Sequence, residues 1–502
     1  MFIRDKILLF SVCIFLFAGQ SLIVEGQLVQ SWTQIYDGVA KGLDCGEKIA
    51  VDKSGNVYVV GCEEVSGQGT NIWIRKYGTG GNEIWTQTYN NNSENYYGSY
   101  GDKGHGIAVD DSGNVYITGA KGILPYEGVE TELFVRKYDT NGTALWTKTY
   151  SGTASGYPIT SGKNIAVDNA GYVYVVGLTE KITIGPSHDD FTSNIIVIKY
   201  DAANGDEKWV DTTYVGMIAD AFEPYPTCDI AVSKNGNIYV VGSINNSSNV
   251  DVWIRKYDKD KNIAWTKNYN GAGSSAQYDS GRGIAVDDSE NIYITGFEWT
   301  NYFFALEDIF VIKFDTSGVL KWKKSYRGMA EEPDYSGIDM GNDIMIDKSG
   351  NILVVGIESV MERAHNNYLW IRKYDSNGNV ILTYSEFIGY KKAMIGSDTT
   401  ADMLNLWNGI AVDDSGYIYI VGSIGQTWDE KYKADILVRK YYEGEAPNSN
   451  NNNEGSSYFK IISNKDGYVR PTNGEVAKFV YKTSDVGTVN FKVYNLRGDL
   501  IR

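Results

Sequence analysis

Three oxygen-bearing side chains, those of Asp110, Ser112 and Asn114, stand at alternate positions in the stretch GIAVDDSGNVYITG, residues 106–119. Alternate oxygen ligands are typical of the start of a calcium-binding loop. Such a loop also needs a glycine at its sixth position and a later bidentate acid, whereas Gly113 is the fourth residue and the sixth opens an apolar run. We therefore interpret the stretch as a tight turn with a positive φ at glycine, and calcium binding is the alternative.

The same pattern occurs seven times along the chain. The other copies are IAVDKSGNVYVVG from Ile49, IAVDNAGYVYVVG from Ile165, IAVSKNGNIYVVG from Ile230, IAVDDSENIYITG from Ile284, IMIDKSGNILVVG from Ile344 and IAVDDSGYIYIVG from Ile410. Each copy is followed by a second pattern such as NIWIRKY and a third such as EIWTQTY, both rich in strand-forming residues. Two copies depart from the pattern, because Ser233 replaces the Asp in the fourth and Glu290 replaces the Gly in the fifth.

Each unit thus contains four segments of strand length, which predicts an all-β fold built from four-stranded propeller blades. Seven units predict a seven-bladed β-propeller over residues 31–442. The seventh unit ends at Tyr441 without a fourth strand, while SWTQIY at 31–36 is a fourth strand with no unit before it. We therefore expect the N-terminal strand to complete the last blade, so that the ring closes without a free edge.

The repeated strings resemble the bacterial SBBP family of seven-bladed β-propeller repeats and, more distantly, the NHL propellers. This resemblance implies the fold and says little about activity, because propellers host many functions. The string VNFKVYNLRGDLIR near the C-terminus is similar to the immunoglobulin-like domain of flagellar hook-capping proteins and to type IX sorting domains. In those relatives further strands follow, so we expect a partial Ig-like β segment at 458–502, after a disordered Asn/Ser/Gly-rich linker at 443–457.

The N-terminus has the features of a secretory signal peptide. Arg4 and Lys6 precede an apolar run, Ile7 to Ala18, which is shorter than the roughly 20 residues of a membrane helix. We assign residues 1–26 to the signal peptide and expect a secreted or cell-surface protein, a monomer without a transmembrane segment. The formal net charge of -17 argues against nucleic acid as a partner, because phosphate-binding surfaces are basic.

Three cysteines remain after signal removal: Cys45, Cys62 and Cys228. In an oxidising compartment Cys45 and Cys62, diagonal neighbours on one face of the first hairpin, could form a disulfide. The sequence leaves free thiols as the alternative.

Two other residue types recur at fixed places in the repeats. We interpret the recurring Trp as packing between blades and the recurring Lys as a structural cation that pairs with the repeated Asp. The tryptophans are Trp32, Trp85, Trp146, Trp209, Trp265 and Trp322, and the lysines are Lys76, Lys137, Lys199, Lys256, Lys313, Lys373 and Lys440.

The connections after strands two and four vary in length, whereas the turns after strands one and three are short. In a propeller these two classes emerge on opposite faces, and variable loops on a rigid scaffold are where binding commonly occurs. We predict ligand-binding residues among the aromatic and acidic side chains of the long loops: Tyr97, Trp299, Tyr302, Trp407, Trp428 and Asp429.

We therefore predict an exported, non-catalytic binding or scaffold protein whose long-loop face binds a carbohydrate or a cell-surface protein. The chain has no GxSxG or HExxH motif and only three His, so we assign no catalytic residue, metal or cofactor. Two alternatives stay open: a glycan-active hydrolase or lyase with loop carboxylates as acid and base, and a rigid spacer. The enzyme alternative expects two acids to converge within about 10 Å at the central mouth.

Overall fold

The computed structural model describes residues 27–90, 101–123, 130–152, 157–183, 190–216, 227–245, 249–271, 278–301, 306–328, 339–362, 364–391, 406–425, 434–444, 458–462, 478–482, 493–494 and 500–501. The chain divides into two units, Met1–Gly444 and Glu445–Arg502. Among the described residues, no helix is long and apolar enough to cross a membrane.

The larger unit is a seven-bladed β-propeller, which confirms the all-β propeller part of the predicted fold class. Within each blade the strands pair antiparallel and run in order from the innermost to the outermost. Blade 1 contains β2 (Cys45–Val51), β3 (Val57–Val65), β4 (Gly69–Tyr77) and β5 (Glu83–Tyr89). Blade 2 contains β6 (Lys103–Val109), β7 (Val115–Ile123), β8 (Glu130–Tyr138) and β9 (Ala144–Tyr150). Blade 3 contains β10 (Tyr157–Val167), β11 (Tyr172–Thr183), β12 (Asp190–Asp201) and β13 (Glu207–Gly216).

The remaining four blades repeat this order. Blade 4 contains β14 (Cys228–Val232), β15 (Ile238–Asn245), β16 (Val250–Tyr257) and β17 (Ile263–Tyr269). Blade 5 contains β18 (Asp279–Val286), β19 (Ile292–Asn301), β20 (Leu306–Phe314) and β21 (Leu320–Tyr326). Blade 6 contains β22 (Met340–Ile346), β23 (Ile352–Glu362), β24 (Ala364–Tyr374) and β25 (Val380–Lys391). Blade 7 contains β26 (Leu406–Val412), β27 (Ile418–Gly425), β28 (Ala434–Gly444) and, as its outermost strand, β1 (Gln27–Tyr36).

The ring closes through the pairing of β1 with β28. The two strands run antiparallel, with Val29 opposite Tyr442 and Tyr36 opposite Ile436. The N-terminal strand therefore supplies the fourth strand that the seventh repeat lacks, as the sequence predicts. Both strands extend beyond the expected limits of 31 and 442, since β1 begins at Gln27 and β28 ends at Gly444.

The hydrophobic core lies between neighbouring blades. Between blades 1 and 2, for example, Tyr58 and Ile74 pack against Ile107 and Val115. The same arrangement recurs between the other blades, and the inner strands of successive blades contact one another around the ring axis. Because each buried apolar side chain contributes about 1.5–3 kcal/mol, these contacts between blades hold the ring together.

At five of the seven junctions the recurring Trp and Lys join one blade to the next, which agrees with the packing role predicted for Trp. Trp146 donates its indole N–H to the Ala202 carbonyl of blade 3 (3.2 Å), and Lys137 donates to the same carbonyl (2.8 Å). Gly205 of that turn has φ +73, and a Cβ there would lie 2.9 Å from the Trp146 ring. We call this arrangement the blade staple, and it recurs with the carbonyls of Thr79, Thr140, Thr316 and Ser376 as acceptors.

The stretch at 106–119 forms a strand, a tight turn and a second strand. Gly113 has φ +79, and one Asp110 carboxylate oxygen accepts hydrogen bonds from the backbone N–H groups of Ser112 and Asn114. The other oxygen accepts from the Asn114 side chain and the Tyr116 hydroxyl. Both carboxylate oxygens of Asp110 thus accept hydrogen bonds from donors within the same turn and the strand that follows it.

Cys45 and Cys62 form a disulfide, with their Cα atoms 5.0 Å apart. They lie directly opposite each other, whereas the sequence analysis expected a diagonal pair. The difference arises because a bulge between Gly46 and Lys48 shifts the register of β2 by one residue.

The smaller unit contains two short hairpins in its described part. β29 (Tyr458–Ile462) pairs with β30 (Lys478–Lys482), and β31 (Val493–Tyr494) pairs with β32 (Leu500–Ile501).

Candidate functional site

The long-loop face is organised by an acidic residue at or just before the start of each of several inner strands. Asp279 accepts a hydrogen bond from the N–H of Gly271, which follows the last strand of blade 4 (2.5 Å), and another from Trp299 in blade 5 (3.3 Å). Asp44 accepts in the same way from Gly38 and Glu64. A single carboxylate therefore holds the connection that enters its blade against the second strand of that blade.

Other blades use parts of the same arrangement, which we call the carboxylate clamp. Asp339 accepts from the Gly328 N–H (2.5 Å), Asp102 from the Gly122 N–H (2.9 Å), and the Thr160 hydroxyl from the Gly152 N–H (3.1 Å). The glycine next to the carboxylate is required, because a Cβ on Gly328 would lie 2.8 Å from the Asp339 oxygens.

Burial makes the clamp carboxylates hard to ionise. Loss of solvent raises the pKa of Asp44 and of Asp279 to about 6, and the nearby carboxylates Glu63 and Glu298 raise it further. The backbone N–H groups oppose this shift, because they stabilise the charged form. Asp44 and Asp279 thus titrate closer to neutral pH than an ordinary aspartate does.

Three carboxylates near the Asp44 clamp come close together. Oxygens of Asp37, Asp44 and Asp435 lie within 4.8 Å of one another, a spacing that suits a cation. Asp37, however, pairs with Lys41, and Asp44 holds the two backbone N–H groups of its clamp. We therefore assign no metal to this cluster.

The central channel is lined by polar side chains from the inner strands. In six blades the inner strand has a bulge between its pairing residues, and the extra residue adds a side chain to the channel. We call these residues the upper ring: Glu47, His105, Lys163, Arg282, Asn342 and Asn408. Because each inner strand runs from the long-loop face to the short-turn face, the upper ring lies toward the long loops. Blade 4 contributes no such residue, since β14 pairs without a break through Cys228 and Asp229.

The residues after the bulge form a lower layer whose carboxylates are held by one lysine and by amide and backbone donors. Lys48 pairs with Asp343 of blade 6 (2.8 Å), which also accepts from the Ile410 N–H (2.9 Å). Asp229 accepts from the Asn164 side chain and from the Ile284 N–H. The lower layer therefore ties blades across the channel axis.

The upper ring contains both charged and amide side chains. Asn408 donates to the Gly46 carbonyl (3.1 Å) and to Glu47 (3.4 Å), and Arg282 donates to Asn342 (3.3 Å). Burial raises the pKa of Glu47, against the influence of the lysines nearby. Burial lowers the pKa of His105 far below its usual range, and Lys163 and Lys103 lower it further. His105 is thus uncharged at neutral pH.

The structure places two of the predicted ligand-binding residues in strands instead of loops. Trp299 lies in β19, is 7% exposed, contacts the Tyr278 ring in a tilted arrangement and donates its indole N–H to Glu307 (3.2 Å). Trp407 lies in the inner strand β26, opposite Gly422, and its side chain is outside the described residues. The sequence analysis misplaced both because strands β19 and β26 extend farther than the repeat pattern indicates. Tyr97, Tyr302, Trp428 and Asp429 also lie outside the described residues.

Sequence reasoning missed the upper ring, although a signal for it exists. Immediately before each repeated Ile the chain reads EK, HG, KN, CD, RG, ND or NG, so charged or amide residues recur next to an otherwise constant string. Polar residues at one fixed position beside the innermost strand indicate a solvent-facing channel. The bulge that directs them there has no local sequence marker.

The acids described at the long-loop face do not favour the enzyme alternative. Beyond the clamp, Glu63 accepts from the Tyr36 hydroxyl (2.5 Å), Glu298 from Lys323 (2.6 Å), and Glu358 from the Tyr326 hydroxyl (3.0 Å). These bonds hold strands together, whereas a general acid or base must present an oxygen to its substrate.

Comparison with known proteins supports the fold. A family model described as SBBP, a beta-propeller repeat, matches residues 95–120. No curated protein matches the chain. Similar solved structures include the polysaccharide lyase Uly1, at 12% identity over 80% of this chain and 90% of that chain with a TM-score of 0.42. The α-L-arabinofuranosidase Arb93A from Fusarium graminearum is 10% identical over 78% of this chain and 92% of that chain, with a TM-score of 0.36. Extracellular domains 1-2 of Drosophila Semaphorin 1b are 10% identical over 82% of this chain and 87% of that chain, with a TM-score of 0.39. Similarity at this level does not bear on what this chain binds.

Proposed function

We propose that this protein is an exported, non-catalytic binding or scaffold module whose long-loop face binds a carbohydrate or a cell-surface protein. The observation that carries the proposal is the carboxylate clamp. Asp44 and Asp279 each hold the base of the long connection that enters their blade against the second strand of that blade. A binding surface gains affinity when its loops are held in place before the ligand arrives, because less conformational entropy is lost on binding.

The chemistry of the long loops suits such ligands. Tyr97, Tyr302 and Trp428 are aromatic residues outside the repeat pattern, and Asp429 adds a carboxylate. Aromatic faces bind the apolar faces of sugars and attract cationic groups. Trp299 is left out of the proposed surface because it packs inside blade 5.

Export is part of the proposal. It rests on the signal-like segment at 1–26, and the Cys45–Cys62 disulfide suits an oxidising compartment outside the cytosol. We further propose that residues 458–502 form an Ig-like β segment that follows the propeller through a linker at 445–457, because β28 includes residues 443 and 444.

A binding screen of the intact protein against glycans and surface proteins tests the proposal. We expect Trp428→Ala or Tyr97→Ala to weaken the bound partner about tenfold, the loss typical of an aromatic anchor. Leu145→Ala is the matched control, because Leu145 is 52% exposed on the outer strand of blade 2. If both loop variants bind as well as the control, the proposed surface is wrong, and if the wild type binds nothing, the spacer alternative replaces it.

The clamp has its own test. A Cβ on Gly271 would lie 2.7 Å from Glu298 and 3.0 Å from Asp279, so Gly271→Ala should displace the loop base while the blades stay folded. We expect weaker binding of the partner found in the screen and an unchanged near-ultraviolet circular dichroism spectrum. Gly80→Ala in the turn of blade 1 is the control, because a Cβ there has its nearest neighbour at 3.8 Å. Equal binding by the two variants would show that the clamp does not shape the binding surface.

A further inference from the structure

A cavity of about 220 Å³ lies between blades 3 and 4 on the short-turn face. Its walls come from the first short turn of blade 3, from both short turns of blade 4 and from the last residues of β12. Tyr174 and Lys199 are buried in these walls, whereas Lys234, Lys259 and Asp260 are exposed. We call this cavity the junction pocket, and it is open to solvent.

The next junction along the ring shows what such a space can hold. Between blades 4 and 5 the Glu290 carboxylate accepts hydrogen bonds from the Asn237 side chain (2.7 Å) and the Tyr239 hydroxyl (3.1 Å). It also pairs with Lys256 at 3.0 Å. A carboxylate inserted between these two blades is therefore held by the recurring Tyr and Lys of the repeat.

The junction pocket occupies the equivalent place one blade earlier. Tyr174 and Lys199 stand at the repeat positions of the Tyr and Lys that hold Glu290. Gly236 stands at the position of Glu290 itself, and Ala170 stands where blade 4 has an Asn. Because Gly236 and Ala170 are small, the space that a Glu side chain fills between blades 4 and 5 is open between blades 3 and 4.

Cations outnumber carboxylates around the junction pocket, although the whole chain has a formal net charge of -17. The charged lining residues are three lysines and two aspartates: Lys199, Lys234, Lys259, Asp168 and Asp260. Lys259 pairs with Asp260 (3.1 Å), and Lys234 pairs with Asp288 of blade 5 (2.6 Å). Because exposed ion pairs are weak, a ligand can compete for these two ammonium groups.

Lys199 is the cation best placed to hold a ligand. Its ammonium nitrogen lies 3.8 Å from the centroid of the Tyr172 ring and donates a hydrogen bond to the Lys259 carbonyl (3.2 Å). In the described part of the chain Lys199 forms no ion pair, and an ammonium group has three donors. Burial lowers the pKa of Lys199, against the opposing effect of Asp168. A carboxylate beside Lys199 would offset the loss of water that this burial causes.

Asp168 determines which end of the junction pocket accepts an anion. One of its oxygens accepts hydrogen bonds from the backbone N–H groups of Ala170 and Tyr172, and the other accepts from the Tyr174 hydroxyl. Blade 4 has a serine at this position, so a second carboxylate is tolerated there. In the junction pocket, repulsion by Asp168 directs an incoming carboxylate toward Lys199 and the exposed lysines.

We propose that the junction pocket binds a small organic carboxylate, whose charge pairs with Lys199 and whose carbon chain lies against Tyr172 and Tyr174. The ammonium group supplies a charge-assisted hydrogen bond, as Lys256 does to Glu290 one blade on. The tyrosine rings supply apolar contact area. The ligand enters from the short-turn face, where the exposed Lys234 and Lys259 attract anions.

Calorimetric titration of the intact protein with sodium propionate and sodium glutarate tests this site. In a buffer of low ionic strength we expect saturable binding of at least one of the two to a single site. Lys199→Met should weaken binding by about tenfold, the loss expected for one charge-assisted contact. Lys313→Met is the matched control, because it removes the same recurring lysine from blade 5, where it donates to the Ser376 carbonyl (3.0 Å).

A second variant fills the junction pocket from within the chain and leaves its lysines in place. Gly236→Glu puts a carboxylate at the position of Glu290, and we expect it to abolish binding of the added carboxylate. The backbone allows this change, because Glu290 itself has φ 61 and Gly236 has φ +80. A Cβ on Gly236 would meet its nearest atom, in Lys259, at 3.4 Å, an ordinary contact. Gly350→Glu is the control, since Gly350 is the equivalent glycine of blade 6 and has φ +79.

The outcomes separate the kinds of carboxylate. Tighter binding of glutarate than of propionate supports a dicarboxylate that also reaches an exposed lysine, and equal binding supports a single carboxylate group. The proposal is overturned if neither compound binds at millimolar concentration, or if Gly236→Glu and Gly350→Glu bind equally well. If Lys199→Met does not fold, the two glycine variants decide alone. Because no long-loop residue is changed, this test can fail while the proposed partner-binding face stands, and the reverse.

Discussion

Glu290 shows how a single residue can serve two blades. It occupies the glycine position of the blade 5 turn, with φ 61, and its carboxylate reaches into blade 4. There it accepts hydrogen bonds from Ser233, Asn237 and Tyr239 and pairs with Lys256 at 3.0 Å. In blade 2 the same local partners, Asn and Tyr, are bonded by the turn's own Asp.

Ser233 in place of Asp and Glu290 in place of Gly, the two departures from the repeat pattern, therefore compensate each other. Blade 4 lost its turn Asp at Ser233, and Glu290 supplies the missing carboxylate from the next blade. Burial would raise the pKa of Glu290, but hydrogen bonds led by those from Asn235, Lys256 and Asn237 lower it to about 2. Its stabilising contribution is present above the ordinary value of 4.5 and is lost as the pH falls toward 2.

Restoring the usual residues tests this exchange. We expect Glu290→Gly to lower the free energy of unfolding by about 2 kcal/mol, because Lys256 and Tyr239 lose their carboxylate. Ser233→Asp alone should also destabilise, because two carboxylates would then meet. The double variant should regain wild-type stability in urea unfolding. Losses that simply add in the double variant would contradict the exchange.

The clamp residue Asp279 predicts a pH dependence of stability. Its pKa is raised from 3.8 to about 6 in the folded state, so folding favours the protonated form. The stability it adds is present below about pH 4 and is lost as the pH rises through 6. We expect the rise in wild-type melting temperature on acidification from about pH 7 to pH 5 to be smaller in Asp279→Asn. Asp288→Asn, at a side chain 76% exposed, is the control and should keep the wild-type profile.

At the scale of the elements, the junction between blades 6 and 7 differs from the other junctions. Blade 7 has no turn between its third and fourth strands, because β1 comes from the far end of the chain. No turn carbonyl is therefore available to the staple of blade 6. Lys373 instead pairs with Glu443 and with Asp347, the latter at 2.9 Å.

The Trp of the staple is absent at the same junction. Leu382 stands opposite Lys373, where Trp146 stands opposite Lys137 in blade 2, and it is buried against Leu28 and Tyr441. An indole there would lack the acceptor that a turn carbonyl supplies at five other junctions, and an unpaired buried N–H is costly. The fourth-strand segment of the sixth repeat, VILTYSEF, therefore has a physical reason to carry Leu382 where other repeats carry Trp.

Loss of Glu443 should weaken this junction. We expect Glu443→Ala to lower the free energy of unfolding by about 1 kcal/mol, since Lys373 is buried and, in the described part of the chain, keeps only Asp347 as a carboxylate partner. Asp111→Ala removes an exposed ion pair with Lys53 and should change stability by less than about 0.3 kcal/mol. Urea unfolding of the two variants decides the point, and equal effects would contradict the role given to Glu443.

At the scale of the whole molecule, closure of the propeller depends on the pairing of its first strand, β1, with its last, β28. Removal of residues 27–36 would leave β28 as an exposed edge and would remove Trp32 from the staple to Thr79. We expect this deletion to give aggregated protein without a cooperative transition. A permuted chain with the same ten residues placed after Gly444 through a short turn should recover a monomeric, cooperative fold. A deletion variant that stays monomeric with the wild-type melting temperature would contradict closure by β1.

The amino-acid sequence by itself determined the number of blades, the order of strands, the tight turns and the closure by β1. These features depend on strand periodicity and turn chemistry, which act over a few residues and are repeated seven times. Only the tertiary structure decided which side chains meet. The one-residue bulge in β6 brings His105 into the channel, and the ring brings it beside Lys163, 58 positions later in the chain (163 − 105). Glu290 reaches another blade for the same reason: the curvature of the ring sets distances between residues that are remote in sequence, and no local pattern encodes that curvature.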